Sequence, residues 1–420
     1  MTGRRRAGVL GALALLYAAQ GIPFGFAAEF LPVVLREGGA SRTAIALTGW
    51  LQLPWQLKLL WASVADHPRV RPHARVVLLG LQAALACVMA LYAAFAGPPP
   101  DIAAWYALTF AAALVAATQD IFVDAFAVRT LSERDRGYGN SAQVAGYRVG
   151  MVVGGGGMLL LSHALGARGT LLACAALVAA VSVGAFVLRG ETAEEVAAHP
   201  PSRGPYRADA APPEEAVSVP ALLRGLLARD AWRVAAVAVT FKLGAHAASG
   251  IIKPLLVDHG WSRDAIGHAV VTFGVGASVL GSLLGGQMHR AMGERPAMVT
   301  AAVLQAATVL PLVALERMGA PRALSTAAIA LEHLAGGVAT TVLFAALMTA
   351  TRRDRAALHY TVLASMNVLA IFLGGFVGAG AADLAGAPAA FALAAGLCLA
   401  PLALLRGWDA HARASAAAAD

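Results

Sequence analysis

Charge is scarce in this chain of 420 residues, because only 13% of them are Asp, Glu, Lys or Arg, against about 25% in ordinary soluble domains. Hydrophobic residues make up 59% of the chain, and the mean hydropathy is +0.67. A water-soluble fold of this length has no interior large enough to bury so much apolar surface. The composition therefore excludes soluble, fibrous and disordered proteins and indicates an integral membrane protein.

Cysteine is equally scarce, and the sequence lacks the motifs of metal and nucleotide chemistry. Cys87, Cys174 and Cys398 each lie inside an apolar run, without the spacing of a disulfide framework or a metal site. There is no P-loop, no HExxH motif and no long basic face. We therefore expect no cofactor, no bound metal and no nucleic-acid partner.

Long apolar runs, in contrast, are abundant: twelve of them approach or exceed the roughly 20 residues that a membrane-spanning helix needs. They predict an all-α membrane protein with twelve transmembrane helices in two six-helix halves. We expect an N-terminal half over 1–189, a Pro-rich cytoplasmic linker over 190–230, a C-terminal half over 231–406 and a cytoplasmic tail over 407–420. The runs are Gly8–Leu35, Thr43–Val64, Val76–Phe95, Ile102–Val128, Tyr138–Leu165, Thr170–Leu188, Trp232–Val257, Ala265–Met288, Ala297–Leu315, Ala323–Thr349, Ala357–Leu384 and Ala387–Leu405.

The basic residues predict the orientation of these helices. If the N-terminus is cytoplasmic, only six of the 32 basic residues fall in outer loops, and most of the others fall in inner segments. Cytoplasmic loops of membrane proteins carry such an excess of Lys and Arg. We therefore expect both termini and the linker on the cytoplasmic side of a bacterial inner membrane.

Charged residues within the runs follow a period of three helices. Spans three, six, nine and twelve hold none, which predicts that these four lie outside while the other eight surround a polar cavity. All three lysines of the protein lie inside spans. The intramembrane charges that we note are Glu29, Lys58, Asp120, Asp124, Arg148, Lys242, Lys253 and Glu332.

Asp120 and Asp124 in span four are the most informative of these charges. Because they are four residues apart, they share one helix face, and two close carboxylates repel unless a proton or a cation intervenes. One interpretation is a protonatable pair coupled to Lys58 and Arg148; the other is a permanent ion-pair network that only orders the inner mouth. In the second half, Glu332 and His246 are secondary candidates for proton coupling, and Lys242 for binding an anion.

Glycine and proline mark places where helices bend. The Gly21-Ile22-Pro23-Phe24-Gly25 segment predicts an interruption of span one, and Gly154–Gly157 predicts a softened span five. We expect Gly21 and Pro23 to take part in conformational change.

Two loops resemble, in degraded form, the signature of the major facilitator superfamily, which normally reads Gly-x-x-x-Asp-Arg/Lys-x-Gly-Arg-Arg. After span two, Ala62 replaces the glycine, while Asp66 and Arg71 remain; after span eight, Gly285 is followed by His289 and Arg290. The resemblance implies two pseudo-symmetric halves that work as a monomer. It also implies a gating role for Asp66, Arg71, His289 and Arg290.

The stretch from span four to span five resembles the family of the AmpG muropeptide permease and the acetyl-CoA transporter. In places the sequence is similar to an orphan branch, major facilitator domain-containing protein three. The matching residues include Gln20, Lys58, Gln119, Asp120, Asp124, Gln143, Tyr147, Arg148 and Lys242.

This resemblance implies import driven by a proton gradient, with the aspartates of span four essential, and alternating access of the substrate site. We expect substrate contacts from Lys58, Arg148 and Lys242, and from Gln20, Gln119, Gln143 and Tyr147. Ala245 and His246 stand where AmpG-type permeases have an acidic residue after Lys-Leu-Gly, so a siderophore or an acyl-CoA stays open beside a muropeptide. A membrane-embedded acyltransferase-like enzyme or a non-transporting receptor remains an alternative of another class.

Overall fold

The computed structural model describes residues 3–31, 34–35, 51, 53–96, 101–198, 232–262, 265–266, 268–352, 355–406 and 408. Most of the predicted linker and of the C-terminal tail lies outside the described residues. The described chain is almost entirely helical. Its α-helices are α1 (Gly3–Gly25), α2 (Leu53–Leu57), α3 (Ala74–Ala94), α4 (Ile102–Thr130), α5 (Glu133–Val152), α6 (Met158–Ala198), α7 (Trp232–Thr240), α8 (Leu243–Asp258), α9 (Val275–Met292), α10 (Glu294–Val309), α11 (Leu312–Arg317), α12 (Arg322–Ala350), α13 (Ala356–Leu399) and α14 (Pro401–Leu404).

Eight stretches of the described chain are long and apolar enough to cross a membrane. Two of these, Glu133–Phe186 with 54 residues and Ala356–Leu404 with 49, each contain two predicted spans. Gly166 (φ 65°) and Gly386 (φ 82°) divide them with non-helical backbone. Predicted spans two and eight are only partly described, so the count of twelve stays a prediction.

Burial differs among these stretches as the three-helix period predicts. The apolar windows of α4 and α12, the fourth and tenth predicted spans, are each 72% buried, and that of α1 is 67% buried. The stretch Arg71–Ala94, which holds span three, is only 33% buried, and Glu294–Arg317, which holds span nine, is 44% buried. The charge-free spans three and nine are therefore less buried than the charged spans one, four and ten, as lipid-facing helices are.

The chain divides into two compact units. The first comprises Met1–Thr130, Ala142–Ser218 and Asp354–Thr361, and the second comprises Leu131–Ser141, Val219–Arg353 and Val362–Asp420. Each unit thus contains one short segment from the other half of the sequence. The predicted boundaries at 189/190 and 230/231 remain predictions.

Each unit has its own apolar core. In the first, Phe26, Tyr92 and Trp105 form an aromatic cluster, with ring centroids 4.7 Å apart for Phe26 and Tyr92 and 5.5 Å apart for Tyr92 and Trp105. In the second, Phe391 and Ile329 are fully buried in a core that also holds Trp261. These cores fix the helices that carry the polar residues described below.

Glycines of α5 and of the π-helical turn Val153–Gly157 that follows it bring their backbone against α1. A Cβ atom added at Gly146, Gly150 or Gly154 would lie 2.0–2.2 Å from a backbone carbonyl oxygen of α1. The contacts run from Ala14 through Ala18 to Ile22 as the glycine number rises, so the two helices are parallel. Only glycine permits such a close approach.

The predicted interruption of span one is wrong in position. The α-helix continues through Pro23 to Gly25, and a π-helical turn follows at Phe26–Phe30. Gly21 and Gly25 serve instead for close packing, because an added Cβ would lie 2.2 Å from the Tyr147 oxygen and 2.1 Å from the Met151 oxygen. The predicted softening of span five is confirmed by a π-helical turn at Val153–Gly157.

Predicted spans two, seven and nine are broken where the sequence suggests continuous helices, span seven between α7 and α8. In span two, the five-residue helix α2 gives way to 3₁₀ turns at Lys58–Leu60 and Ala62–Asp66, in which Trp61 N–H donates to the Lys58 carbonyl at 3.2 Å. In span nine, α10 ends at Val309 and α11 begins after Pro311, whose ring cannot donate a helical hydrogen bond.

Candidate functional site

A buried charge cluster lies in the first unit. Helix α4 carries Asp120 and Asp124, both almost fully buried, one helical turn apart. The 3₁₀ turn that follows α2 brings Lys58 to them: its Nζ forms an ion pair with Asp120 Oδ2 and lies 3.9 Å from Asp124 Oδ2. One ammonium group therefore faces two carboxylates in a site closed to bulk water.

Tyr17 of α1 completes this cluster. Its hydroxyl donates a hydrogen bond to Asp124 Oδ1, and the side chain is only 2% exposed. Tyr360, at the start of α13, interacts electrostatically with both aspartates. Sequence reasoning missed Tyr17, because a tyrosine in an apolar run is typical of a core residue. The only sequence feature that points to Tyr17 is its position one turn before Gln20.

Aromatic side chains flank the charge cluster. Lys58 Nζ lies 5.8 Å from the ring centroid of Trp55, and this ring meets Tyr147 edge-on at 6.4 Å. Phe24 lies 5.8 Å from Tyr147 on the other side. Phe24 and Trp55, together with Pro23, also line a small pocket between these helices.

Arg148 lies outside the ion pairs of the cluster. Within the described residues it forms no ion pair or hydrogen bond, and its side chain is only half-buried. The expectation that Lys58 pairs with the aspartates is therefore met, whereas the expected coupling of Arg148 to them is not. Lys58 is neutralised by the protein, whereas no described carboxylate neutralises Arg148.

Three glutamines expected to contact the substrate lie on α1, α4 and α5. Gln20 and Gln119 are completely buried, and Gln119 Nε2 donates to the Leu16 carbonyl at 3.3 Å. Both amide atoms of Gln20, and the Oε1 atoms of Gln119 and Gln143, have no partner within the described residues. Buried polar atoms of this kind require water or a ligand.

The second unit holds two further polar groups. Lys242 lies in the break between α7 and α8, and its Nζ donates to Thr340 Oγ1 at 2.6 Å and to the Gly336 carbonyl at 3.3 Å. Glu332 accepts from Ser249 Oγ at 3.0 Å and pairs with Nδ1 of the adjacent His333 at 2.9 Å. His246 is half-buried on α8, where its Cβ lies close to Gly374 of α13.

The residues with an expected gating role form two sets of contacts. In the first unit, the Asp66 carboxylate accepts from Arg129 at 2.5 Å and from the backbone N–H groups of Ala357 and Leu358 at 3.1 and 2.8 Å. Arg71 is exposed. Burial raises the pKa of Asp66 above its ordinary value, while the hydrogen bonds and Arg129 oppose that shift.

In the second unit, Arg290 pairs with Asp135 at 2.8 Å, and its guanidinium lies 5.5 Å from the ring centroid of Tyr138. His289 is buried against Gly137, and its two ring nitrogens have no hydrogen-bond partner within the described part of the chain. Of the four residues with an expected gating role, Asp66 pairs with Arg129 of α4, and Arg290 pairs with Asp135 of α5.

Comparison with known proteins shows which families the chain resembles. The model of the Major Facilitator Superfamily matches residues 234–418. The anhydromuropeptide permease of Escherichia coli K12 is 26% identical over 362 residues, which is 85% of this chain and 71% of that protein. The putative transporter AmpG 4 of Rickettsia conorii is 21% identical over 370 residues, 84% of this chain and 85% of that protein. The chain is therefore similar to the major facilitator superfamily in its C-terminal part and to AmpG-type proteins over most of its length.

Solved structures show the same fold. The human organic anion transporter MFSD10 superposes with a TM-score of 0.66 at 18% identity, over 96% of this chain and 100% of that one. The Escherichia coli fucose:proton symporter FucP gives 0.66 at 14% identity, over 95% and 97% of the two chains. The all-α fold and the resemblance to AmpG-type proteins are thus confirmed, and these relatives and structural neighbours are transporters rather than enzymes.

Proposed function

We propose that this transporter imports an anionic or zwitterionic solute, with a muropeptide as the first candidate, together with protons. It works as a monomer by alternating access in a bacterial inner membrane, with both termini in the cytoplasm. The observation that carries the proposal is the buried cluster in which Asp120 and Asp124 share the single cation Lys58.

Such a cluster suits proton coupling. Two carboxylates with one ammonium between them leave one negative charge without a partner, and binding a proton removes that charge at low energetic cost. Proton-coupled transport occurs in proteins of this fold, since two structural neighbours are a proton:xylose symporter and a fucose:proton symporter.

The polar surroundings suit an anionic solute. Arg148 offers a guanidinium that no described carboxylate neutralises, and an Arg of this kind binds carboxylates and phosphates through two parallel hydrogen bonds. Gln20, Gln119 and Gln143 add unused amide groups. In the second unit, Lys242 provides a further cation, and Glu332 with His246 a secondary proton site. The name of the Escherichia coli relative, anhydromuropeptide permease, makes a muropeptide the first solute to test.

The experiment is uptake into proteoliposomes with an imposed pH gradient. Labelled anhydro-muropeptide is compared with acetyl-CoA and a siderophore, for the wild type and the Asp120→Asn/Asp124→Asn double variant, with the exposed Arg168→Gln as the control. We expect gradient-driven uptake of anhydro-muropeptide that the double variant loses and Arg168→Gln keeps. Uptake of another of the three solutes would reassign the substrate, and uptake by the double variant at the wild-type rate would refute coupling through these aspartates.

A further inference from the structure

The two aspartates of the cluster differ in their contacts. Lys58 Nζ is within hydrogen-bond distance of Asp120, whereas the nearest oxygen of Asp124 lies 3.9 Å away, beyond that distance. In a buried site, an ion pair offsets the desolvation of its charges only when its geometry is close to ideal, and an unpaired charge is strongly destabilising. Asp120 is therefore the direct counterion of Lys58, and Asp124 carries the excess negative charge.

The groups around Asp124 allow it to exist in two protonation states. Tyr17 donates to Oδ1, and Lys58 faces Oδ2 from the turn after α2; Asp120 is one turn away, and Tyr360 approaches from α13. A phenol donates to a carboxylate, and it can equally donate to the carbonyl oxygen of a carboxylic acid. Tyr17 therefore holds the side chain in place whether or not a proton is bound.

We propose that Asp124 is the carboxyl group that carries the transported proton, that Asp120 is a fixed counterion of Lys58, and that Tyr17 is the positioning residue of Asp124. The proposal deepens the proposed function and rests on its proton coupling. The step is a simple proton transfer: a hydronium on the outer side gives its proton to the Asp124 carboxylate, and the resulting acid releases that proton to water on the cytoplasmic side.

Infrared difference spectroscopy of the protein reconstituted in lipid tests the assignment without any solute. The carboxylic-acid C=O band is followed during a pH titration of the wild type, Asp124→Asn and the double variant Asp120→Asn/Lys58→Gln. The double variant removes the ion pair as a unit, so that Lys58 cannot take Asp124 as its new partner. We expect the titrating band to disappear in Asp124→Asn and to persist in the double variant; the opposite result would overturn the proposal.

Uptake measurements with the same variants separate coupling from binding. Asp124→Asn should reduce gradient-driven accumulation of anhydro-muropeptide about tenfold or more while it retains exchange of internal for external solute, and Asp124→Glu should restore accumulation. If the wild type accumulates none of the three solutes, the proposed function fails, whereas the infrared result still decides which aspartate titrates.

Tyr17→Phe distinguishes a positioning residue from a residue that only fills space. Losing a hydrogen bond to the charged carboxylate makes protonation easier, so the midpoint of the infrared titration should move upward by about one pH unit. In the Asp124→Asn background the substitution should change nothing in the spectrum. An unchanged midpoint in Tyr17→Phe would remove Tyr17 from the mechanism.

Discussion

At the scale of single residues, one carboxylate joins three parts of the first unit. Asp66, at the end of a 3₁₀ turn, accepts from Arg129 near the end of α4 and from two N–H groups at the start of α13. The first N–H groups of a helix have no partner within it, so the carboxylate both satisfies them and complements the helix dipole. The loop signature in the sequence predicted that Asp66 matters, but it did not reveal which groups it binds.

We expect Asp66→Ala to lower the free energy of unfolding by about 2 kcal/mol, because it removes the acceptor of an Arg129 hydrogen bond and of two backbone N–H groups. Thermal unfolding in detergent, followed by tryptophan fluorescence, measures this loss. Arg71→Ala, five residues along and exposed, is the control and should change stability by less than about 0.5 kcal/mol. Equal effects of the two substitutions would contradict the role of Asp66.

The raised pKa of Asp66 gives a pH dependence of defined sign. Because the folded protein binds this proton more tightly than the unfolded chain does, the stabilising contribution is present at low pH and is lost as the pH rises through the folded pKa. Asp66→Asn cannot titrate. The wild type should therefore gain stability relative to Asp66→Asn as the pH falls from neutral towards about 4. A difference that stays constant across this range would argue against the raised pKa.

The cluster on α4 shows the limit of sequence reasoning at this scale. The spacing of Asp120 and Asp124 places them on one face, and the structure confirms Lys58 as their partner. Counting residues to the helix ends gives the depth of Arg148 in the membrane, but it does not give the direction of its side chain. The count therefore could not show that Arg148 lies apart from Asp120 and Asp124. The contact of Tyr17 with Asp124 could not be predicted, because the neighbours of Tyr17 in sequence are apolar.

At the scale of helices, hydropathy predicted the positions of the long apolar helices better than the places where they break. The break before α8 places Lys242 at the end of a helix, where its Nζ reaches carbonyl and hydroxyl oxygens of α12. No periodic pattern in the sequence marks that position. Breaks in membrane helices are tolerated where they line a polar site, so they follow from tertiary contacts more than from local sequence.

The packing of α5 on α1 depends on the absence of side chains. A methyl group at Gly150 would lie 2.2 Å from the Ala18 carbonyl oxygen, so Gly150→Ala should force the helices apart and destabilise the protein by about 2 kcal/mol. Gly80 of α3 has no atom within 4 Å of such a methyl group. Gly80→Ala should therefore be neutral or stabilising, by up to about 1 kcal/mol. Thermal unfolding of the two variants in one lipid mixture decides between these outcomes.

A tryptophan beyond the last helix is tied to the start of α10. Trp408 Nε1 donates to Glu294 Oε1 at 2.5 Å, and the ring is only 7% exposed. Trp408→Phe removes the donor but retains a ring, and we expect a loss of about 2 kcal/mol, as for a hydrogen bond to a charged group. Trp232→Phe, at a position that is 43% exposed, is the matched substitution. A larger effect at Trp232 than at Trp408 would contradict the role of this contact.

At the scale of the whole molecule, composition alone identified the class of protein, and the distribution of basic residues predicts its orientation. Reporter fusions test that orientation. A fluorescent protein fused after Asp420 should fluoresce, which requires folding in the cytoplasm. An alkaline phosphatase fused after Gly319, in the turn between α11 and α12, should be active outside it. The reverse pattern would invert the proposed topology.

Gly166 and Gly386 have a consequence for how the protein is made. Each adopts a left-handed conformation within a long helical stretch that holds two predicted spans, and only a few residues separate those spans. A connection this short leaves no polar loop large enough to be moved across the bilayer on its own. We therefore expect the two spans of each pair to insert as a helical hairpin and to leave the translocon together.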